Sequence, residues 1–255
     1  MARWTFAAAS VRGTSHVKAG TRLQDAQSSF ECEGPGGNSV FSIVVSDGAG
    51  SASFGGQGAS LVCRVLSQNA RRHFERSQQV PDDATIWDWI DEVRDRILVA
   101  ADRRLLDSRD FAATLIFAVA GCGQLKICHI GDGAVVARDA VSHEWRTLSA
   151  PENGEYASTT YFVTDSPAPR LRISAYEDRY DALAVFTDGI EGLVLNSQTA
   201  CPHPAFFQPM IAPLERGEIV GRDAALSSQL SRFLDSDRVN DRTDDDKTLV
   251  LAHRR

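Results

Sequence analysis

Four short strings set an acid against an apolar run, and they constrain this chain more than any other feature. Val44-Val45-Ser46-Asp47-Gly48, His129-Ile130-Gly131-Asp132-Gly133 and Val185-Phe186-Thr187-Asp188-Gly189 each end on one, while Asp245-Asp246-Lys247-Thr248 opens the run Leu249-Val250-Leu251. With Gln24-Asp25 they place carboxylates at the mouths of several predicted strands. Singly, each Asp-Gly is explained as a turn, because Asp bonds nearby backbone and Gly supplies positive φ. Jointly they say more. Strands of opposite direction can bring all of them to one edge, where anions without a cation repel by several kcal/mol and hard divalent cations seek clustered oxygens. The pattern points to a metal site.

The rest of the chain reads as strands, a helix pair, then more strands. Residues 3–11 and 26–32 read as short strands with a polar loop, 13–24, between them, and the continuous apolar run 40–45 as a strand covered on both faces. After the Gly/Ser-rich stretch 48–58 the period becomes helical, with Val62, Val65 and Leu66 on one face. Pro81-Asp82-Asp83 then opens a second helix whose Ile86, Ile90, Val93, Ile97 and Ala101 form a stripe. Residues 113–120, 125–130 and 134–138 read as an antiparallel meander. Residues 139–180, with Pro151, Asn153-Gly154, Pro167 and Pro169, read as loops and short strands, and 182–187 as a buried strand. Prolines and aromatics alternate without a period over 202–213, a helix is expected over 222–234, and the acidic run 235–246 reads as a solvated loop. No repeat or composition break demands a second domain, so the class is α+β.

The formal charge of −7 disfavours a nucleic-acid or anionic-membrane binder. No apolar stretch reaches the roughly 18 residues of a membrane span, and the N-terminal residues lack the apolar core of a signal peptide. Five scattered cysteines, Cys32, Cys63, Cys122, Cys128 and Cys201, fit free thiols in a reducing cytoplasm. His129 reads as a packed or edge histidine; Trp87 and Trp89 point to different faces of one helix.

In order and spacing, Gln24-Asp25, Asp47-Gly48 with its Gly-rich follow-on, Ala113-Thr114-Leu115, Gly131-Asp132-Gly133, Thr187-Asp188-Gly189 and Asp245-Asp246-Lys247-Thr248 resemble the successive motifs of the metal-dependent protein phosphatases of type 2C. Gly13-Thr14-Ser15-His16 and Gly154-Glu155-Tyr156 are closest to the bacterial branch. The resemblance spans roughly residues 10–252. It implies one domain over 1–255, a four-layer α-β-β-α sandwich of two antiparallel sheets flanked by helix pairs, with 139–180 in the place of the variable flap that governs substrate choice. It also implies roles: Asp47 bridging two Mn2+ or Mg2+ ions, the Gly48 carbonyl on the second, Asp188 and Asp245 completing the first, Asp25 and Gln24 holding metal-bound waters, and Asp132 with Asp188 forming a looser third site.

The implied reaction is hydrolysis of phosphoserine and phosphothreonine on proteins by a metal-bridging hydroxide, with no covalent intermediate. The implied partners are phosphorylated proteins and a Ser/Thr kinase or its targets. Two departures from the family pattern stand out. Gly20 occupies the position of the arginine that grips phosphate, five residues before Asp25, which leaves His16, Lys18 and Arg22 of the same loop as replacements, His16 and Arg22 favoured. Ala49 stands where animal members place a histidine. The missing arginine keeps two other readings open: a catalytically silent phosphatase-like binding module, and an enzyme acting on small phosphorylated metabolites.

Overall fold

The computed structural model describes residues 3–35, 37, 39–77, 79–152 and 160–255. The Gly154-Glu155-Tyr156 string and Asn153 lie outside the described residues, as do Gly36 and Asn38 of the Gly34–Asn38 turn. In chain order the elements are β1 (Trp4–Val11), α1 (Thr14–Ala19), β2 (Ala26–Glu33), β3 (Ser39–Ser46), α2 (Gly55–Phe74), α3 (Asp83–Asp102), β4 (Leu115–Gly121), β5 (Gln124–Ile130) and β6 (Ala134–Asp139). They continue with β7 (Trp145–Ser149), β8 (Arg172–Glu177), β9 (Tyr180–Phe186), α4 (Glu191–Val194), α5 (Pro204–Arg216), β10 (Gly221–Arg222), α6 (Ala224–Leu234), α7 (Asp237–Asn240) and β11 (Lys247–Arg254). They fall into two compact units.

One unit comprises Gln24–Asp132 and Glu152–Asp178 and holds a five-stranded antiparallel sheet in the order β2-β3-β4-β5-β8. The two predicted helices lie here as α2 and α3, and Ile86, Ile90, Val93, Ile97 and Ala101 are all buried in the core they share with the sheet. Asp82 caps α3, its carboxylate accepting the Thr85 N–H at 2.8 Å. Along β3, Val40 and Val44 join that core, while Phe41, Ile43 and Val45 on the other face are equally buried. The continuous apolar run had implied such double burial. Trp89 packs in the core against His73 and Phe117, whereas Trp87 is exposed.

The other unit comprises Met1–Leu23, Gly133–Pro151 and Arg179–Arg255 and holds a six-stranded sheet, β10-β1-β11-β9-β6-β7. It is antiparallel except for the short parallel pairing of β10 with β1, which departs from the expectation of two purely antiparallel sheets. α4, α5 and α6 contribute Val194, Phe207, Ile211, Leu214, Leu230 and Leu234 to its core.

Four readings need correction. The meander is broken: β4 and β5 form a hairpin, but β6 pairs with β7 and β9 in the other sheet, and β8 takes the place beside β5. The re-aiming occurs at Gly131 and Gly133, whose φ values of 95° and 80° suit glycine, and a three-residue turn does not say which sheet comes next. Residues 204–216 are helical despite Pro209 and Pro213, because burying Phe207, Ile211 and Leu214, with Phe207 stacked on Trp145 at 5.0 Å, outweighs the roughly 3 kcal/mol penalty of an internal proline. The loop 13–24 contains the short helix α1, ended by Gly20 in the left-handed conformation. The acidic run contains α7.

Candidate active site

At one end of the five-stranded sheet the β2–β3 register, in which Ala26 faces Ser46, continues outward to set Asp25 opposite Asp47. The Gly48 N–H donates to the Gln24 carbonyl at 3.2 Å, extending the ladder past both acids. Thr114 fixes Asp47 twice: its N–H donates to the Asp47 carbonyl at 2.8 Å and its Oγ1 accepts the Asp47 N–H at 3.0 Å. The next strand ends at Ile130, across from Leu115, so Asp132 emerges at the same edge. Asp25 is buried, whereas Asp47 and Asp132 are partly exposed. A Cβ on Gly48 would fall 2.2 Å from the Gly55 carbonyl carbon, so only glycine lets the start of α2 approach the residue after Asp47. The N-terminus of α2 thereby lies against the residue that follows Asp47.

The Asp132 turn is held from behind by a histidine that the sequence reading assigned only a packing role. His129 is fully buried; its Nε2 donates to the Asp132 carbonyl at 3.0 Å and its Nδ1 accepts from the Arg172 guanidinium at 3.0 Å. Burial first, and the Arg172 charge second, lower its pKa to about 3, so the ring is neutral with its proton on Nε2. Arg172 Nε lies 2.9 Å from Glu152 Oε2, and the Glu152 N–H donates to the Gly131 carbonyl at 3.1 Å. Asp132 is only three positions on, but the partners that lock the ring, Arg172 and Glu152, are more than 20 positions from His129, and their spacing in sequence carries no signal.

The six-stranded sheet gathers the remaining acids at one of its ends. Thr187 and Thr248 tie β9 to β11, the Thr187 N–H donating to the Thr248 carbonyl at 3.2 Å and the Thr248 N–H to Thr187 Oγ1 at 3.0 Å. Asp188 follows in a 3-10 turn beside Lys247 and Asp246. Gly189 is obligatory there, since a Cβ would fall 1.8 Å from the Asp246 carbonyl oxygen. Asp245 is half exposed, but Asp246 is buried and accepts the Gly13 N–H at 2.6 Å, with His16 Nδ1 2.8 Å from its Oδ1. His16 Nε2 is 4.0 Å from Asp245 Oδ1. Ser15 donates to the Asp244 carbonyl through both its N–H and its Oγ. Thus α1 is pinned to the acidic string, bringing His16 to Asp245 and Asp246, while Lys18 and Arg22 are exposed.

The candidate ligands Asp25, Asp47, Asp132, Asp188 and Asp245, with the Gly48 carbonyl, are all hard oxygen donors, which fits Mg2+ or Mn2+ better than a thiophilic metal. Thiolate chemistry finds no support: all five cysteines are free, and burial raises the pKa of Cys32, Cys63, Cys122 and Cys128, the last to about 12.

A family model described as protein phosphatase 2C matches residues 12–235. The chain belongs to the protein phosphatase 2C family. It is 35% identical over 250 residues to Serine/threonine-protein phosphatase 3 of Escherichia coli (strain K12), covering 98% of each chain. Among solved structures it is similar to PppA, a key regulatory component of the T6SS in Pseudomonas aeruginosa, with a TM-score of 0.64 at 16% identity over 100% of both chains. The catalytic domain of the serine threonine protein phosphatase PstP, in complex with 2 manganese ions, matches with a TM-score of 0.62 at 15% identity over 100% of this chain and 99% of that one. The 2C phosphatase fold, α+β with two sheets and their helices, is therefore the fold of this chain, as the motif order had implied.

Proposed function

We propose that this 2C-family chain is a metal-dependent phosphatase that hydrolyses phosphoserine and phosphothreonine monoesters on proteins. The observation that carries the reading is the set of carboxylates standing at or just beyond strand ends, in the order of the family motifs, with Asp47 held by two hydrogen bonds to Thr114. In this reading Asp47, the Gly48 carbonyl, Asp188 and Asp245 hold two ions, Mn2+ or Mg2+, and Asp132 with Asp188 a third. Bound divalent cations supply Lewis acidity, lowering the pKa of a water toward neutrality and neutralising phosphate oxygens.

The chain's own groups do the rest. The Asp25 carboxylate, with Gln24 beside it, accepts hydrogen bonds from the attacking water and orients it. Arg22 holds phosphate oxygens through its guanidinium fork. His16, with Nδ1 against Asp246, has Nε2 available to donate a proton to the departing serine oxygen.

The whole chain, 1–255, is taken as one catalytic domain, with 139–180 as the flap-like segment. That segment contributes β7 to one sheet and β8 to the other. A cytoplasmic location is supported by the free thiols. Among the described residues no helix is long and apolar enough to cross a membrane. A Ser/Thr kinase, or that kinase's targets, is the natural opposing partner.

Phosphate release from phosphoserine and phosphothreonine peptides and from an aryl phosphate, each with Mn2+, Mg2+ or excess chelator, tests the reading. Peptide turnover that needs metal is expected. Turnover of the aryl phosphate alone would favour a small-metabolite enzyme, no turnover of either a silent module, and full turnover in chelator would remove the metal from the mechanism.

A further inference from the structure

The chain enters the Asp132 turn from a strand and leaves it toward a different sheet, through glycines with positive φ at 131 and 133. Such a turn is soft unless its main-chain groups are pinned, and Gly131 is already crowded, since a Cβ there would meet the Tyr161 carbonyl oxygen at 2.5 Å. Two carbonyls of the turn, those of Gly131 and Asp132, are pinned by one circuit. His129 Nε2 donates to Asp132 O, the Glu152 N–H donates to Gly131 O, Glu152 pairs with Arg172, and Arg172 donates to His129 Nδ1. Arg172 sits directly across the β5–β8 ladder from His129, so the pairing is set by strand register. Glu152 also pairs with Arg170, whose NH1 donates to Tyr161 Oη at 2.9 Å, which ties the segment after the turn into the same circuit.

Burying an imidazole on a strand whose residues Ile127, Cys128 and Ile130 are themselves buried costs free energy unless both ring nitrogens are satisfied. An aliphatic residue at 129 would pack as well but would leave the Asp132 carbonyl without its donor. We propose that His129, locked by Arg172 and Glu152, is a positioning residue that fixes the Asp132 turn and thereby sets the affinity of the ion Asp132 holds. The inference rests on Asp132 being a metal ligand, as argued under the proposed function. Outer groups that orient a metal ligand typically change metal affinity about 10- to 100-fold when removed.

Counting bound Mn2+ by calorimetric titration and by electron paramagnetic resonance decides it, on the whole chain without substrate. Asp132→Asn should weaken the most loosely held Mn2+; if no ion is affected, the ligand assignment itself is wrong. With that assignment standing, His129→Leu should weaken the same ion roughly 10-fold and leave the tighter ions alone. His129→Gln, whose amide N–H can reach the Nε2 position, should recover most of the loss. Wild-type affinity in His129→Leu, or an equal loss at every ion, overturns the proposal. Should His129→Leu fail to fold, Arg172→Met and Glu152→Gln, which cut the circuit nearer the surface, carry the same decision: selective weakening of the loosest ion supports it, and wild-type binding overturns it.

Discussion

Asp47 is the residue on which the proposed chemistry leans hardest, held by two hydrogen bonds to Thr114 and facing Asp25 across the ladder. Asp47→Asn and Asp188→Asn should each lower peptide turnover by roughly two orders of magnitude or more, because several kcal/mol of charge stabilisation by metal is lost. Without metal, Asp47→Asn should melt no lower than wild type, since it removes one of two facing anions. Near wild-type turnover of either variant at saturating Mn2+ would sink the ligand assignment. His16 and Arg22 separate by kinetics. Loss of a phosphate clamp in Arg22→Ala should raise KM about 10- to 100-fold, the worth of a charge-assisted hydrogen bond of about 1.5–3 kcal/mol. Loss of a proton donor in His16→Ala should instead lower kcat, most for phosphoserine and least for an aryl phosphate whose leaving group needs no proton. Unchanged kinetics in both variants and in their double would leave phosphate binding to the metals alone.

Elements of this protein are closed by side chains that stand in for backbone. The β6–β7 hairpin shows it: Asp139 Oδ1 accepts the N–H groups of Val141 and Ser142 at 2.9 and 3.0 Å, and Oδ2 accepts from Arg179 Nε at 2.6 Å. These bonds, the backbone pair foremost and Arg179 after them, lower its pKa from 3.8 to about 2. A carboxyl depressed on folding contributes stability that is complete above its unfolded pKa of about 3.9 and is lost as pH falls through about 2. Asp139→Asn should therefore melt lower than wild type near neutral pH yet lose less of its thermal midpoint between about pH 4 and pH 2. Identical acid slopes for the two proteins in calorimetry would show that Asp139 contributes nothing there.

For the molecule as a whole, the proposed metal ligands, drawn from positions 25 to 245, would link metal binding to folding, since a cation that binds only the folded chain stabilises it. Mn2+ at about 100 times its dissociation constant should add roughly 2.7 kcal/mol and raise the thermal midpoint by about 5–10 °C, and chelator should return it. A midpoint indifferent to Mn2+ would contradict the site. What the amino-acid order determined by itself follows from local pattern. The apolar run 40–45, the Ile86-to-Ala101 stripe and the acids at 47, 132, 188 and 245 were legible because strand and helix periods, and the end of an apolar run, are written within a few residues of each other. The tertiary structure alone decided the sheet to which β6 belongs, the helicity of 204–216 against its prolines, the helix α1, and the task of His129. Each is set by contacts far away in the chain, as when Gly13 is pinned by Asp246 from 233 positions off or the His129 ring is locked by Arg172 from 43 positions off. Such contacts are chosen by which surfaces can be buried together, and no local window of sequence holds that information.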